Sequence, residues 1–172
     1  YDRKTQDPDG EIAPQGFEWK EIPFIIVLDD KGNLVQIEDT RTITGKKKRA
    51  KSFLVPQGEK RTSGVKAYRL WDNAEYVFGL DGSETKQKAF IARLAQYLEL
   101  DDVGLSAMKS FLSDNPAVKA GTKYEWAEIS ETKPWLAFRL IGNTELICQR
   151  PTVVKTLMEE LEKVDNRKPM VC

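Results

Sequence analysis

An apolar segment followed by a turn sequence, near the start of the chain, constrains the fold most strongly. Residues 22–28 read IPFIIVL, residues 29–33 read DDKGN, and apolar and polar residues alternate over residues 34–37. Short β-rich segments on both sides of a turn that contains Gly and Asn are typical of a β-hairpin. The same reasoning predicts further strands at residues 52–55 and 76–80.

The sequence pattern changes from strand to helix at Ser83. Apolar residues then recur at helical spacing, and Ser83 is placed to cap the first turn. One face of this predicted helix carries Phe90, Ile91, Leu94, Ala95 and Leu98. A second helix is predicted over residues 103–113, before Asn115 and Pro116.

A second strand pair and a further helix are predicted in the last third of the chain. Residues 135–141 and 145–148 are largely apolar and flank a turn at Gly142 and Asn143, which predicts a hairpin. Pro151 stands at a favoured first helical position, and this helix is expected to run to residue 164.

Together these elements predict one α+β domain over residues 1–172, because hairpin strands are combined with separate helices. It would consist of antiparallel β-hairpins with packed helices and long basic loops. The expected parts are strand-rich over residues 17–80, helical over 83–115, and a hairpin plus helix over 134–165. The first 16 residues are polar and contain two prolines and two glycines, which is typical of an extended lead-in.

The composition favours an ordinary folded domain. With 172 residues, of which 40% are hydrophobic, the chain can bury a core. No apolar run approaches the ~20 residues that span a bilayer, so a cytoplasmic location is expected. The two cysteines, Cys148 and Cys172, come without any histidine, so neither a cofactor nor a zinc or disulfide framework is predicted. Because the sequence starts without Met and stops in an apolar stretch, we expect a piece of a longer protein.

The charge distribution points to a polyanionic partner. Residues 41–69, here called the basic island, contain ten basic side chains and one acid, Glu59. The chain has 27 basic and 27 acidic residues, so the island's net +9 is balanced by −9 elsewhere. Positive potential on one face favours directed binding of nucleic acid. The basic residues are Arg41, Lys46, Lys47, Lys48, Arg49, Lys51, Lys60, Arg61, Lys66 and Arg69.

Most of these residues are predicted to lie in two loops held by strands, the first over residues 45–51 and the second over residues 58–64. In the second loop, residues 58–64, cations stand beside small residues, so backbone N–H groups could approach a phosphate. The candidates for phosphate binding are Lys46, Lys47, Lys48, Arg49, Lys51 and Lys66. The candidates for reading a DNA motif are Lys60, Arg61, Thr62, Ser63 and Gly64. Solvated basic loops are the alternative interpretation.

Two side chains near the loops could contact bases. Asn73 could pair bidentately with adenine, although Asn after Asp72 is also typical of a turn. Phe53 is a possible wedge between base steps, although a Phe in a strand is more often part of the core. Both interpretations stay open for both residues.

A catalytic function is not predicted. The absence of histidine removes the commonest general base. Residues 58–64 differ from a P-loop in glycine spacing and in having Val65 where Lys is required. The carboxylate pairs Asp29-Asp30 and Asp101-Asp102 are interpreted as turn and cap residues, so no metal site is predicted. Two alternatives stay open: a metal-dependent nuclease that uses these pairs, and a protein-interaction module that binds an acidic partner.

Five segments, in order along nearly the whole chain, share the pattern of a known family. They cover residues 12–17, 23–41, 54–57, 60–81 and 137–151. The specific part is KRTSG at residues 60–64, followed by LWDN at residues 70–73. These segments resemble the large subunit of the type I-C (Dvulg subtype) CRISPR Cascade surveillance complex, which recognises the protospacer-adjacent motif. The chain departs from the family pattern at Gln15, where a second proline is usual, and over residues 86–97.

The resemblance implies a non-catalytic DNA-recognition subunit of a prokaryotic antiviral ribonucleoprotein. It would lie at the crRNA 5′ end, inspect duplex DNA for a short motif and assist strand opening, while base pairing reads the rest of the target. The implied partners are double-stranded target DNA, crRNA, the Cascade backbone subunits, the crRNA-handle subunit, and a helicase-nuclease recruited after target binding. Because family members continue into a C-terminal helical bundle, the sequence is expected to be the N-terminal domain alone.

Overall fold

The structure, a computed structural model, describes residues 12–61 and 64–167. The strands are β1 (Phe17–Glu21), β2 (Phe24–Leu28), β3 (Leu34–Asp39), β4 (Thr42–Thr44), β5 (Lys47–Arg49), β6 (Ser52–Pro56), β7 (Asp72–Asn73) and β8 (Trp135–Leu140). The α-helices are α1 (Ala74–Phe78), α2 (Glu84–Ala95), α3 (Val103–Ser113), α4 (Pro116–Ala120), α5 (Trp126–Thr132) and α6 (Pro151–Arg167). The predicted α+β class is confirmed. Across the described ranges, none of the helices is long and apolar enough to cross a bilayer.

The central sheet has the strand order β3-β2-β8-β7. β2 and β3 pair antiparallel, from Phe24 opposite Asp39 to Leu28 opposite Leu34, so the first predicted hairpin is confirmed. All five residues of β2 are buried, so side chains on both faces of this central strand are covered. Its sequence is therefore continuously apolar and does not alternate.

The second predicted hairpin is confirmed only in its first strand, β8, and its turn, because the second strand is reduced to a single bridge. β8 pairs in parallel with β2, and its other edge pairs with β7. The following segment keeps one bridge, from Arg139 to Leu146, and then forms the 3-10 helix Ile147–Gln149. The Gln149 side chain accepts a hydrogen bond from the N–H of Leu146 at 2.7 Å and donates one to the carbonyl of Leu54 at 3.0 Å. These two bonds close the segment on itself and tie it to β6.

The strand predicted at residues 76–80 is also wrong, because the segment belongs mainly to helix α1. The side-chain oxygen of Asn73 accepts hydrogen bonds from the N–H groups of Glu75 at 3.0 Å and Tyr76 at 3.2 Å. Gly79 ends the helix in the left-handed conformation, with φ 65°. An N-cap and a terminal glycine stabilise the short helix, against the strand preference of Tyr, Val and Phe.

The three predicted helices are confirmed as α2, α3 and α6. In α2, Phe90 and Leu94 are buried, whereas Ala95, predicted on the same face, is exposed. Ser83 precedes α2 without capping it, and its hydroxyl donates to Glu75 at 3.4 Å. Helices α4 and α5 contain five and seven residues, too few to show a helical apolar period in the sequence.

Aromatic side chains join the central sheet to the helices and to the second basic loop. The ring of Phe138 in β8 lies 6.2 Å from that of Phe90 in α2 and 6.4 Å from that of Phe111 in α3, between centroids. Just before β7, the indole N–H of Trp71 donates to the carbonyl of Pro56 at 2.8 Å. This bond holds the chain just before β7 against β6, which pairs antiparallel with β1.

The prediction of a loop over the first basic segment is wrong, because β5 of this segment pairs with β4 in a two-stranded ribbon. β4 and β5 pair antiparallel, with Thr42 opposite Arg49 and Ile43 opposite Lys48. Gly45 adopts φ 65° in the turn between them, a conformation that glycine reaches without steric cost. The β-branched residues of β4 favour an extended strand that can pair with the lysine-rich segment. The β4–β5 ribbon is therefore an ordered projection that carries the cations at regular spacing.

Candidate nucleic-acid interface

The β4–β5 ribbon presents the first group of predicted phosphate-binding residues to solvent. The exposed residues are Lys46, Lys47, Lys48, Arg49 and Lys51. Successive side chains of a strand point to opposite faces, so the cations of β5 are distributed over both faces of the ribbon. The sequence pattern correctly identifies this segment as a positively charged surface.

Ion pairs neutralise half of the basic island. Its five paired cations are Arg41 with Asp39 and Glu128, Arg49 with Glu21, Arg61 with Asp72, Lys66 with Glu59, and Arg69 with Glu59 and Glu160. Within the described residues, the five that form no ion pair are Lys46, Lys47, Lys48, Lys51 and Lys60. Four of these five lysines lie on or next to the ribbon. The net +9 of the sequence therefore overstates the accessible charge, which is concentrated there.

Arg41 fixes the base of the ribbon to helix α5. Its guanidinium donates to Asp39 at 2.8 Å and to Glu128 at 2.9 Å. Its central carbon lies 4.6 Å from the ring centroid of Phe24. The bonds to Asp39 and Glu128 raise the pKa of Arg41, and the same bonds lower the pKa of both carboxyl groups. This arginine is thus engaged within the fold.

Arg61 lies in an enclosure made by aromatic rings and a carboxylate. Its central guanidinium carbon is 3.9 Å from the ring centroid of Tyr68 and 4.2 Å from that of Tyr76. One Nη donates to Asp72 at 2.9 Å and to the carbonyl of Lys66 at 3.0 Å. Its side chain is only 15% exposed. The contact with DNA that the sequence suggests stays a prediction, while the guanidinium is held by the protein itself.

Asp72 is the buried counter-ion of Arg61. The residue has 0% exposure and accepts hydrogen bonds from the N–H groups of Tyr68 at 3.0 Å and Asn73 at 2.7 Å. Burial raises the pKa of Asp72, whereas Arg61 and the two N–H groups favour its charged form. A buried carboxylate requires such partners. The pair therefore fastens the second basic loop to β7.

Asn73 serves as the N-cap of helix α1. Its side-chain oxygen is engaged by two backbone N–H groups, at 3.0 and 3.2 Å. A bidentate contact with adenine uses both the oxygen and the nitrogen of the amide. Such a contact would compete with the cap for the oxygen, and the predicted base contact stays a prediction.

The second basic loop contains one exposed cation without an ion pair in the described part of the chain, Lys60. Gly64 is exposed and has φ 77°. Lys66 is exposed too, but its ammonium pairs with Glu59. Burial disfavours the charged form of Glu59, yet Lys66, together with two arginines, lowers its pKa. Two further predicted readers lie outside the described residues: Thr62 and Ser63.

Phe53 belongs to the core side of strand β6. It is 8% exposed, and the ammonium of Lys51 lies 5.3 Å from its ring centroid. Insertion into a base step would require the ring to leave this packed position. The wedge role stays a prediction, and the geometry places Phe53 among the buried hydrophobic residues.

The carboxylate pairs considered for metal binding have structural roles. Asp29 accepts a hydrogen bond from the N–H of Asn33 at 2.8 Å within the β2–β3 turn. Asp102 caps α3 through the N–H of Gly104 at 2.9 Å and pairs with Arg150 at 3.0 Å. The interpretation of Asp29 as a turn residue and of Asp102 as a cap residue is confirmed. Among residues 12–61 and 64–167, no group of three or more possible ligands could hold a metal ion.

A cleft beside the β4–β5 ribbon is missed by the sequence patterns. It has a volume of about 300 Å³, and Tyr124 and Glu125 stand on the wall formed by the segment that enters α5. Tyr124 is 95% exposed. A single Tyr in a polar segment carries no periodic signal, so only the tertiary structure reveals that it lines the same cleft as Lys48.

Comparison with known proteins identifies the family. No curated protein matches the chain. The chain does match the family described as CRISPR-associated protein (Cas_Csd1), and the match covers residues 1–172. The protein with this lysine-bearing ribbon and its anchored second loop therefore belongs to the CRISPR-associated Cas_Csd1 family.

Proposed function

We propose that this domain belongs to the large subunit of a type I-C Cascade complex and reads a short motif in duplex DNA. Family membership supports a role in a CRISPR effector complex. In RNA-guided systems the protein reads only a short motif and leaves the remaining sequence to base pairing. The observation that carries the proposal is the β4–β5 ribbon, whose exposed lysines form no ion pair within the described residues.

The β4–β5 ribbon and the second basic loop would have different roles in binding DNA. The ribbon holds the phosphate backbone, because its cations are exposed and regularly spaced. The second loop meets the motif through Lys60 and Gly64, with Asn73 of strand β7 as a third contact, while Arg61 positions the loop by its bond to Asp72. Strand opening then follows at the crRNA 5′ end. The proposed partners are crRNA, the backbone and crRNA-handle subunits, and a helicase-nuclease, in the cytoplasm and without catalysis by this domain.

Competition binding by the assembled effector complex tests motif reading. Two duplex targets that differ only in the motif compete with a labelled target. We expect the target with the correct motif to compete more strongly, since each wrong base pair costs about 1–3 kcal/mol at a base-reading site. Equal competition by both targets would refute motif reading by the complex.

Salt dependence tests the role of the ribbon. If the domain neutralises about four phosphates, the logarithm of affinity should fall with the logarithm of salt concentration at a slope of about −3.6. Replacing Lys46 and Lys47 with Gln should reduce that slope to about −1.8, because two phosphate contacts are lost. The matched control replaces Lys155 and Lys163 with Gln, two exposed lysines of helix α6 outside the basic island. Equal slopes for the two double variants would contradict a ribbon-specific role.

A further inference from the structure

We infer that the cleft beside the β4–β5 ribbon binds one unpaired nucleobase of a single-stranded nucleic acid, with the base stacked on Tyr124. The inference rests on the proposed function and adds a single-strand site to a domain that reads duplex DNA. It is carried by an exposed aromatic ring, a carboxylate without a partner among the described residues, and a lysine of the ribbon, all of which line one cleft.

The cleft lies between the ribbon and the start of helix α5. Its volume is about 300 Å³, at the lower end of the range for ligand pockets. The buried ring of Phe24, with the Arg41 guanidinium over it, is part of the lining. Lys48 of the ribbon lines the same cleft as Tyr124 and Glu125 of the segment that enters α5. A flat ligand can therefore enter from solvent with the ribbon alongside.

Tyr124 provides the surface on which a base can stack. The residue is 95% exposed, although most Tyr side chains are at least partly buried. Proteins that bind single strands combine a cationic path for the backbone with exposed aromatic rings for the bases. The ribbon and Tyr124 form this combination, since both Lys48 and Tyr124 line the same cleft.

Glu125 provides a hydrogen-bond acceptor for the edge of the base. It is half-buried, and its carboxylate makes no hydrogen bond or ion pair within the described residues. The other two carboxylates of the cleft, Asp39 and Glu128, are engaged by Arg41. An acceptor-only group selects bases that have an exocyclic amino group, such as cytosine, over thymine.

The charge of the cleft favours a base over a phosphate or a basic peptide. Three carboxylates and two cations line it, so a phosphate would be repelled from its interior. A basic peptide could pair with the carboxylates but would be repelled by the adjacent lysines of the ribbon. A nucleotide satisfies both regions, because its neutral base enters the cleft and its phosphates lie on the ribbon.

Binding of three short probes to the full chain tests the inference. The probes are fluorescein-labelled oligo-dC, oligo-dT and an abasic deoxyribose-phosphate chain, each of about eight nucleotides. We expect oligo-dC to bind about tenfold more tightly than the abasic chain, and more tightly than oligo-dT. Tyr124→Ala should reduce oligo-dC affinity to that of the abasic chain, whereas Tyr124→Phe should retain it.

The specificity of the acceptor is tested separately. Glu125→Gln should remove the preference for oligo-dC over oligo-dT, because an amide can donate to thymine as well as accept from cytosine. The matched control is Glu131→Gln, an exposed residue of helix α5 that does not line the cleft. An equal loss of preference in both variants would overturn the assignment of Glu125.

The outcomes distinguish this inference from the proposed function. If Tyr124→Ala leaves the ratio of oligo-dC to abasic affinity unchanged, the nucleobase site is overturned, while salt-dependent binding of the abasic chain still supports the ribbon. If the three probes bind the wild-type chain equally, the nucleobase site is overturned as well. If the abasic chain does not bind but oligo-dC does, the ribbon is refuted and the stacking site is supported.

Discussion

Replacing Arg61 with Ala should destabilise the fold, because the change leaves the Asp72 carboxylate buried without its cation. Removing one partner of a buried ion pair costs about 3–5 kcal/mol, and the lost contacts with the rings of Tyr68, Tyr76 and Trp135 add about 1 kcal/mol. Asp72 keeps the N–H groups of Tyr68 and Asn73, which offset part of this cost. Since Arg61 is 15% exposed, screening by solvent is small. We expect the free energy of unfolding to fall by about 3 kcal/mol.

The destabilisation should depend on pH in a defined direction. Burial raises the pKa of Asp72, and Arg61 opposes that rise, so its removal raises the folded-state pKa further. The folded state then binds more protons than the unfolded state, and stability falls as the pH rises through the folded pKa. The deficit of Arg61→Ala relative to wild type should therefore be smaller at about pH 5 than at about pH 8.

Urea denaturation of the full chain at both pH values measures these effects. Arg49→Ala is the matched control, because the Arg49 side chain is 63% exposed and its pair with Glu21 lies at the surface. No measurable change is expected there. The double variant Arg61→Ala, Asp72→Asn should have a free energy of unfolding more than about 1 kcal/mol higher than Arg61→Ala alone, since the two residues are coupled. A deficit below about 1 kcal/mol that is equal at both pH values would refute the reasoning.

Three further changes test the geometry around this enclosure. Asn73→Ala should lower the free energy of unfolding, measured by urea denaturation, by about 1 kcal/mol, and Asn73→Asp should lower it less, because Asp retains the cap. If Asn73→Asp loses the preference for the motif, the amide makes the base contact. If the preference is unchanged, Asn73 is a cap only. Gly79→Ala should destabilise the fold by about 1 kcal/mol and so lower the thermal midpoint by several degrees, because φ is 65° and a Cβ would lie 2.9 Å from Gln87. An unchanged midpoint would contradict the left-handed C-cap. Burial raises the pKa of Cys148 to about 12. In a Cys172→Ser background, a thiol reagent should therefore label Cys148 only after unfolding. Rapid labelling of the native state would contradict the burial of Cys148.

Local patterns predicted the elements that depend on neighbours in sequence. The turn after β2 is one example, because Asp29 and Asn33 bond to each other within five residues. Helices α2, α3 and α6 are others, since their apolar spacing is visible without knowledge of their partners. Local patterns failed where distant residues decide the outcome. The segment after β8 forms a 3-10 helix in place of the predicted strand, and the side chain of Gln149 bonds to Leu54, 95 residues earlier.

The candidate interface shows the same division. The sequence correctly located an exposed cationic segment at Lys46 and its neighbours, because consecutive lysines remain on the surface in almost any fold. It did not indicate that Arg61 is held by Asp72, or that Tyr124 and Lys48 line one cleft. Both arrangements join side chains whose meeting depends on the packing of strands and helices.

By itself, the sequence determined the α+β class, the first hairpin and the excess of positive charge in the basic island, since these follow from apolar period, turn residues and composition. Only the tertiary structure decided which of those charges remain available. Glu128 reaches Arg41 across 87 residues, and Glu160 reaches Arg69 across 91. An ion pair requires atoms a few ångströms apart, and that proximity is set by the packing of the whole fold. Four arginines and one lysine are thereby neutralised within the structure, whereas the ribbon lysines are exposed and have no ion pair among the described residues.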